Sequence, residues 1–169
     1  MNLVIDGYNL LHANRLLSGV SATKLRRERD RLIDRLSAYR KEKGWAVTLV
    51  FDGWQEGWFA EQKEYVKGVE VIYSQRGERA DDVIKRIARS KGGAVVIVSS
   101  DRELEKYAAR MAIAVVPSEQ FQERLERIAC PDGGFADSVG EDETRLKQKG
   151  PSKMLSKREK RLRSALKKL

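Results

Sequence analysis

The sequence predicts a three-layer α/β domain with a central, mostly parallel sheet of about five strands, followed by a basic C-terminal helical tail. Short runs rich in valine and isoleucine alternate with longer amphipathic stretches, as repeated βα units do. Most of these runs are apolar throughout, so their strands are covered on both faces, which is the habit of a parallel sheet. The positive charge, finally, is concentrated at one end of the chain.

The predicted strands are Leu3 to Ile5, Val47 to Phe51, Val69 to Tyr73, Ala94 to Ser99 and Ile113 to Val116. Between them, Ala22 to Lys43 places Leu25, Leu32, Ile33 and Leu36 on one helical face and stops at Gly44. Ala80 to Lys91 does the same with Val83, Ile84, Ile87 and Ala88 and stops at Gly92. Two further helices are read over Arg102 to Arg110 and Glu119 to Ala129, the second with Ser118 as N-cap. Residues 1–130 thus form one α/β domain. The glycine-rich stretch 131–144 reads as a linker, and 145–169 as the tail.

At 169 residues the chain is long enough for one ordinary domain with a substantial core. It has no apolar run of membrane-spanning length, and its N-terminus enters a strand at once without the layout of a signal peptide. A single cysteine, Cys130, excludes an intrachain disulfide, and with only His12 beside it an ordinary structural zinc site is excluded too. These features predict a soluble, cytoplasmic protein. Of the net charge of +9, the segment from Arg145 to Leu169 holds more than the whole, with eleven basic residues against one acid, Glu159. The remainder is close to neutral. Ser156 and Glu159 form a capping-box pattern, and Leu162, Leu166 and Leu169 follow along one face. Such a helix would dock by its leucines and, with Lys153 just ahead of it, offer Lys157, Arg158, Lys160, Arg161, Arg163, Lys167 and Lys168 to the phosphates of a polyanion such as RNA, the alternative being a solvated tail.

Ligands of a doubly wound sheet sit beyond the carboxyl ends of the strands, near the point where strand order reverses. Three of the predicted strands run into an aspartate there: Asp6, Asp52 and Asp101. Asp81 and Asp82 open the helix before the fourth strand, with Glu78 just ahead of them. Two carboxylates about 4 Å apart repel by roughly 4 kcal/mol at an effective dielectric near 20, so a cluster of them shares protons or holds a cation. All-oxygen ligands favour Mg or Mn over zinc, with room left for a phosphate oxygen and an attacking water. Asp6, Asp81 and Asp101 are the expected ligands and catalytic groups, with Asp82 and Asp52 as further candidates. Asn9, Arg79, Arg102 and Ser100 stand where substrate would be positioned. Trp54, Trp58 and Tyr8 are aromatic candidates for stacking on unpaired bases, a role weighed against packing over a local core.

The ordered set IDGYN at Ile5 to Asn9, VFDG at Val50 to Gly53, GERADDVI at Gly77 to Ile84 and SSDREL at Ser99 to Leu104 resembles the NYN branch of PIN-like nucleases, and within it the YacP type. The resemblance implies a PIN-like fold and a metal-dependent endoribonuclease, and for the YacP type a ribosome-associated enzyme that cuts mRNA. Asp6 matches the first catalytic aspartate and Asp101 the aspartate after the fourth strand. Asp81 matches the helix-opening aspartate, since Ile84 supplies the apolar residue three positions later. Asp82 is then a neighbour that would support a second metal. The basic final segment lies outside these motifs, so ribosome association is not carried onto it.

Other chemistries lack their residues. There is no GxGxxG for a dinucleotide and no P-loop, so no nucleotide cofactor is expected. An aspartyl-phosphate enzyme wants an acid two residues after its nucleophile, where Tyr8 stands, and His12 belongs to no triad. The reading is a single-strand endoribonuclease acting on RNA, expected to be mRNA on the ribosome, by metal-activated water. The alternative is a catalytically silent RNA- or ribosome-binding module of the same fold.

Overall fold

In a computed structural model, which describes residues 1–13, 21–53, 59–129 and 157–168, the apolar run at the start of the chain becomes the central strand. The elements are β1 (Asn2–Asp6), α1 (Gly7–Ala13), α2 (Ala22–Lys43), β2 (Ala46–Phe51), β3 (Gln62–Val66), β4 (Val69–Tyr73), α3 (Ala80–Lys91), β5 (Val95–Val98), α4 (Arg102–Arg110), β6 (Ala114–Val116), α5 (Ser118–Ala129) and α6 (Lys157–Lys168). The sheet order is β3-β4-β2-β1-β5-β6, and every pairing is parallel except β3 with β4. The chain works outward from β1 on one side and returns to β5 on the other. The reversal of strand order therefore falls between β1 and β5.

The period of two along each strand sorts its side chains onto two cores. Leu3, Ile5, Leu49, Phe51, Val71, Val96, Val98 and Val116 face α2, α5 and α6, where Leu36, Tyr39, Phe121, Leu125 and Ala165 meet them. Val4, Val50, Ile72, Val95 and Ile97 face α3 and α4, packing on Val83, Ile84, Leu104 and Ala108. This is the three-layer arrangement predicted, and α6 is part of it: Ala165 is buried and Leu162 and Leu166 pack beside it. Leu169, the third leucine of the predicted stripe, lies outside the described residues, as do Ser156, the linker and Cys130.

The sheet has six strands where about five were expected, because β3 reads QKEYV and is largely exposed. An edge strand needs only one covered face, and charged side chains there discourage pairing with a further chain. Its partner β4 follows through the two-residue turn Lys67–Gly68, with φ of 51° and 84°. Both positive, these are the angles of the turn that matches the twist of a hairpin. Ser118 is the first residue of α5 and does not cap it from outside; its hydroxyl is spent elsewhere, as described below. Among the described residues no helix is long and apolar enough to cross a membrane.

Candidate active site

Beyond the carboxyl ends of β1, β2 and β5, α1 leaves β1 without an intervening loop, so Asp6 stands at the head of α1 and its Oδ1 accepts the Asn9 amide at 3.1 Å. Ser99, one residue past β5, donates its hydroxyl to Asp6 Oδ2 at 3.3 Å and accepts the Asp101 amide at 3.1 Å. Ser99 is thus a bridge across the strand-order reversal. Asp6 is only 8% exposed. Burial raises its carboxyl to about 6; the charges of Asp81 and Asp52 push in the same direction, while the Asn9 amide and Ser99 hydroxyl pull back.

Asp81 comes in from α3 and is as deeply placed, 6% exposed. Its carboxyl is raised by burial first and then by Asp101, with Arg79 and Lys85 opposing and Asp52 adding. Its buried Oδ2 accepts no hydrogen bond, although Arg79 Nη2 approaches to 3.3 Å. Arg79 is itself mostly exposed and also reaches toward Glu103, so solvent weakens what it contributes. Asp101 caps α4, its Oδ1 accepting from the amides of Glu103 at 2.6 Å and Leu104 at 3.1 Å. Asp52 Oδ1 accepts the Ala80 amide at 2.6 Å and so serves the start of α3 from across the rim.

The two Asp-Gly pairs at this rim have steric causes. A Cβ on Gly7 would meet the Phe51 ring at 2.3 Å, and that ring is held by Tyr8 edge-on at 5.1 Å and by Tyr73 stacked at 5.7 Å. A Cβ on Gly53 would meet the Ser74 carbonyl oxygen at 1.9 Å. Ser74 is fully buried; its hydroxyl accepts the Gly53 amide at 3.1 Å and donates to the Glu78 carbonyl at 2.7 Å. The exit of β2, which carries Asp52, is thereby tied to the loop that delivers Asp81. Neither Ser74 nor Ser99 stands out in the sequence reading, because a lone serine at a strand end carries no signal of its own.

Asp6, Asp52, Asp81 and Asp101 therefore form one electrostatically coupled rim, while Asp82 does not join it. Asp82 lies on the outer side of α3, half exposed, with Lys85 Nζ at 3.7 Å. Glu78 is largely covered and pairs with Arg86. Asn9 Oδ1 accepts the Ser100 amide at 2.9 Å and the Ser118 hydroxyl at 2.7 Å, which locks α1 to the end of β5 and the start of α5. Ser100 donates its hydroxyl to Glu119 Oε2 at 2.6 Å and accepts the Ser118 amide, and this bond lowers the Glu119 carboxyl. Asn9 and Ser100 thus have structural work to do. Arg102 is exposed at the start of α4, and Tyr8 is half-buried against Phe51.

Trp54, Trp58 and Lys153 fall outside the described residues. On α6, Lys157, Lys160, Arg163 and Lys167 are exposed, whereas Arg161 is half-buried and lines a cavity with Ser99 and Ser100. Arg158 and Lys168 belong to the same helix, but their side chains are outside the described set.

For a divalent cation, the chemistry of the donors fits: carboxylates only, two of them raised by burial and mutual repulsion, and one buried oxygen without a hydrogen-bond donor. Among the described residues no three His, Cys, Asp or Glu side chains are already gathered into a metal-holding group. An ion here would take its protein ligands from part of the rim and complete its shell with water, as magnesium commonly does.

Comparison with known proteins agrees with this architecture. The family model of the YacP-like NYN domain matches residues 3–168, a span that takes in α6. The Bacillus subtilis (strain 168) protein YacP is 33% identical over 88 residues, which is 52% of this chain and 51% of that protein, so the chain spans about half the length of that curated relative. The crystal structure of Rae1 (YacP) from Bacillus subtilis superposes with a TM-score of 0.63 at 25% identity, covering 78% of this chain and 76% of the other. A substituted variant of Rae1 gives 0.65 at 23% identity, covering 77% of each chain.

Proposed function

The chain belongs to the YacP-like NYN domain family, whose members are nuclease-like, and we propose from this and the carboxylate rim that it is a divalent-metal-dependent endoribonuclease of single-stranded RNA. The observation that carries the reading is the pairing of two buried carboxyls, Asp6 and Asp81, each raised in part by another rim acid. Folding forces these charges together at the reversal of strand order, where an α/β sheet binds its ligands. A fold that needed only helix caps there would have no use for the acid at Asp81, whose Oδ2 meets no hydrogen-bond donor.

A bound Mg or Mn supplies positive charge toward the phosphate and makes water a better nucleophile near neutral pH. Asp6, Asp81 and Asp101 would hold it, with Asp52 close enough to add charge. The protein's own contribution is order. Ser99 fixes the Asp6 carboxylate by its hydroxyl and the Asp101 backbone by the same oxygen, so the β1 and β5 acids keep their spacing. Asp101 keeps Oδ1 on the amides of α4, leaving Oδ2 as the oxygen to face the site. Water adds its oxygen to phosphorus as the bond to one ribose oxygen breaks, and the proton that water loses ends on that leaving oxygen by way of solvent. Arg79 and Arg102, at the N-termini of neighbouring helices, meet the phosphate from solvent. The exposed cations of α6 draw in the flanking strand. On this reading the substrate is mRNA, met on the ribosome in the cytoplasm.

One observation favours the second reading, an RNA- or ribosome-binding module without turnover: no three acids are gathered into a metal-holding group among the described residues. Incubation of the full chain with unstructured RNA and DNA in Mg, Mn or EDTA, alone and with ribosomes, separates the two. The nuclease reading expects RNA cleavage that needs the metal and is lost in Asp6→Asn. Cleavage that survives the substitution or EDTA would overturn it, and ribosome co-sedimentation with no cleavage under any condition would favour the silent module.

A further inference from the structure

Between α4, the outer edge of β6 and α6 lies a cavity of about 170 Å³. Its walls are mainly apolar: Ala109 of α4, Ile113 just before β6, Ala114 and Val115 of β6, and Leu162 of α6. Its polar lining is Ser99 and Ser100, Glu105 of α4, and Arg161 of α6. Ser99 is the residue that bonds Asp6 and the Asp101 amide. The cavity and the carboxylate rim therefore share one side chain.

We infer that this cavity is a subsite for one unpaired pyrimidine base of the RNA strand, next to the phosphodiester held at the carboxylate rim, with Arg161 as its positioning residue. The inference rests on the endoribonuclease reading for the identity of the strand. Size is the first argument: a protein cavity of roughly 150 Å³ accommodates benzene, so this one takes a single six-membered ring and is tight for a purine. Chemistry is the second. Apolar walls accept the faces of a base while one guanidinium stacks on it or reaches its edge, a recurrent mode for splayed bases of single-stranded RNA. Charge is the third, since Lys157, Lys160, Arg163 and Lys167 are exposed on the helix that supplies Arg161. They add attraction for a polyanionic strand beside the cavity. An extended peptide added to the edge of β6 would use the same groove but would gain nothing from these cations.

The test reads base placement without needing turnover. An unstructured RNA carrying a single 4-thiouridine is bound to the full chain in EDTA and irradiated, and the crosslinked peptides are mapped. The expected result is crosslinks to residues 109–117 and 161–162. They should fall on the order of tenfold in Arg161→Gln and in Ala109→Leu, the scale of losing one stacked base. Ala109 is exposed on α4, touches none of the rim acids, and accepts leucine at little cost to folding. Wild-type crosslinks confined to other peptides, or cavity crosslinks undiminished in Ala109→Leu, would overturn the subsite. In Mg or Mn, replacement of one pyrimidine beside the cut by an abasic residue should slow wild-type cleavage by a similar factor and leave Arg161→Gln and Ala109→Leu unchanged. Cavity crosslinks with no cleavage of any RNA would strike the nuclease reading alone, and cleavage with crosslinks only elsewhere would strike the subsite alone.

Discussion

Asp6→Asn is predicted to stabilise the metal-free protein at neutral pH. A carboxyl moved from its ordinary value of 3.8 to about 6 costs the folded state about 3 kcal/mol when it ionises, at about 1.4 kcal/mol for each tenfold change in proton affinity. At 8% exposure solvent screens little of this. The folded state binds the proton more tightly than the unfolded chain, so this stability is fully present below pH 3.8 and is lost as pH rises to about 6. Asparagine keeps an acceptor for the Asn9 amide and carries no charge. Allowing for relaxation, the variant should gain about 1–3 kcal/mol over wild type at pH 7.5 in EDTA, and the gap should close near pH 4. Asp81 titrates in the same direction in both proteins and largely cancels. Urea unfolding at the two pH values measures the difference. Saturating Mg or Mn should reverse the order by stabilising wild type more than the variant. A variant less stable than wild type at pH 7.5 in EDTA, or a gap independent of pH, would refute the reasoning, because Asp6 would then be a satisfied structural acid.

The other predictions probe separate parts of the rim. Gly7→Ala should lose about 1–3 kcal/mol in urea unfolding, since the Phe51 ring that its methyl would meet is held between Tyr8 and Tyr73; a neutral outcome would mean the ring moves freely. Asp101→Asn should keep the unfolding midpoint, because asparagine caps helices as well as aspartate, while Asp101→Ala loses about 1 kcal/mol. Both should abolish cleavage, and full activity in Asp101→Asn would reduce Asp101 to a cap. Replacing Lys157, Lys160, Arg163 and Lys167 together by Gln should lower the slope of log affinity against log salt for single-stranded RNA by up to about 3. Fluorescence anisotropy in a salt series reads it, and an unchanged slope would remove α6 from the RNA path. Deleting α6 outright is a poorer experiment, because uncovering the surface that Ala165, Leu162 and Leu166 bury should lower stability as well.

Much of this was legible in the sequence where one physical signal dominates. The strands β1, β2, β4, β5 and β6 are apolar on both faces because helices cover both, and such runs announce themselves. Two elements did not. The polar edge strand β3 has no second core to face, and α1 begins in the residue after Asp6 without the loop and cap that mark a helix start. The acids that end strands were visible as a set, but their sorting was not. Asp81 and Asp82 are neighbours in sequence, and only the helix decides between them. Asp81 shares its face with Ile84 and is carried inward, whereas Asp82 shares its own with Lys85 and is carried to solvent. Ser99 and Ser100 separate similarly, one onto Asp6 and the other onto Glu119.

The same sorting explains why the rim holds its shape with so much like charge. Each acid of the rim except Asp81 has a structural donor: Asp6 the Asn9 amide and Ser99 hydroxyl, Asp52 the Ala80 amide, Asp101 two amides of α4. Those bonds fix where the carboxylates stand, and Asp52 and Asp101 each serve the start of a helix whose other face is buried in the core. Rearranging either to relieve repulsion would uncap α3 or α4, at about 1 kcal/mol apiece. The repulsion is therefore held in place by helix capping and expressed as raised carboxyls at Asp6 and Asp81, the two most buried members. A cation would relieve it without moving any backbone. Asp6, whose carboxyl burial raises to about 6, is the acid whose affinity for protons should change most when a metal binds. Proton release on adding Mg at pH 6 should accordingly be smaller in Asp6→Asn than in Asp101→Asn, and equal release from both would place the ion elsewhere on the rim.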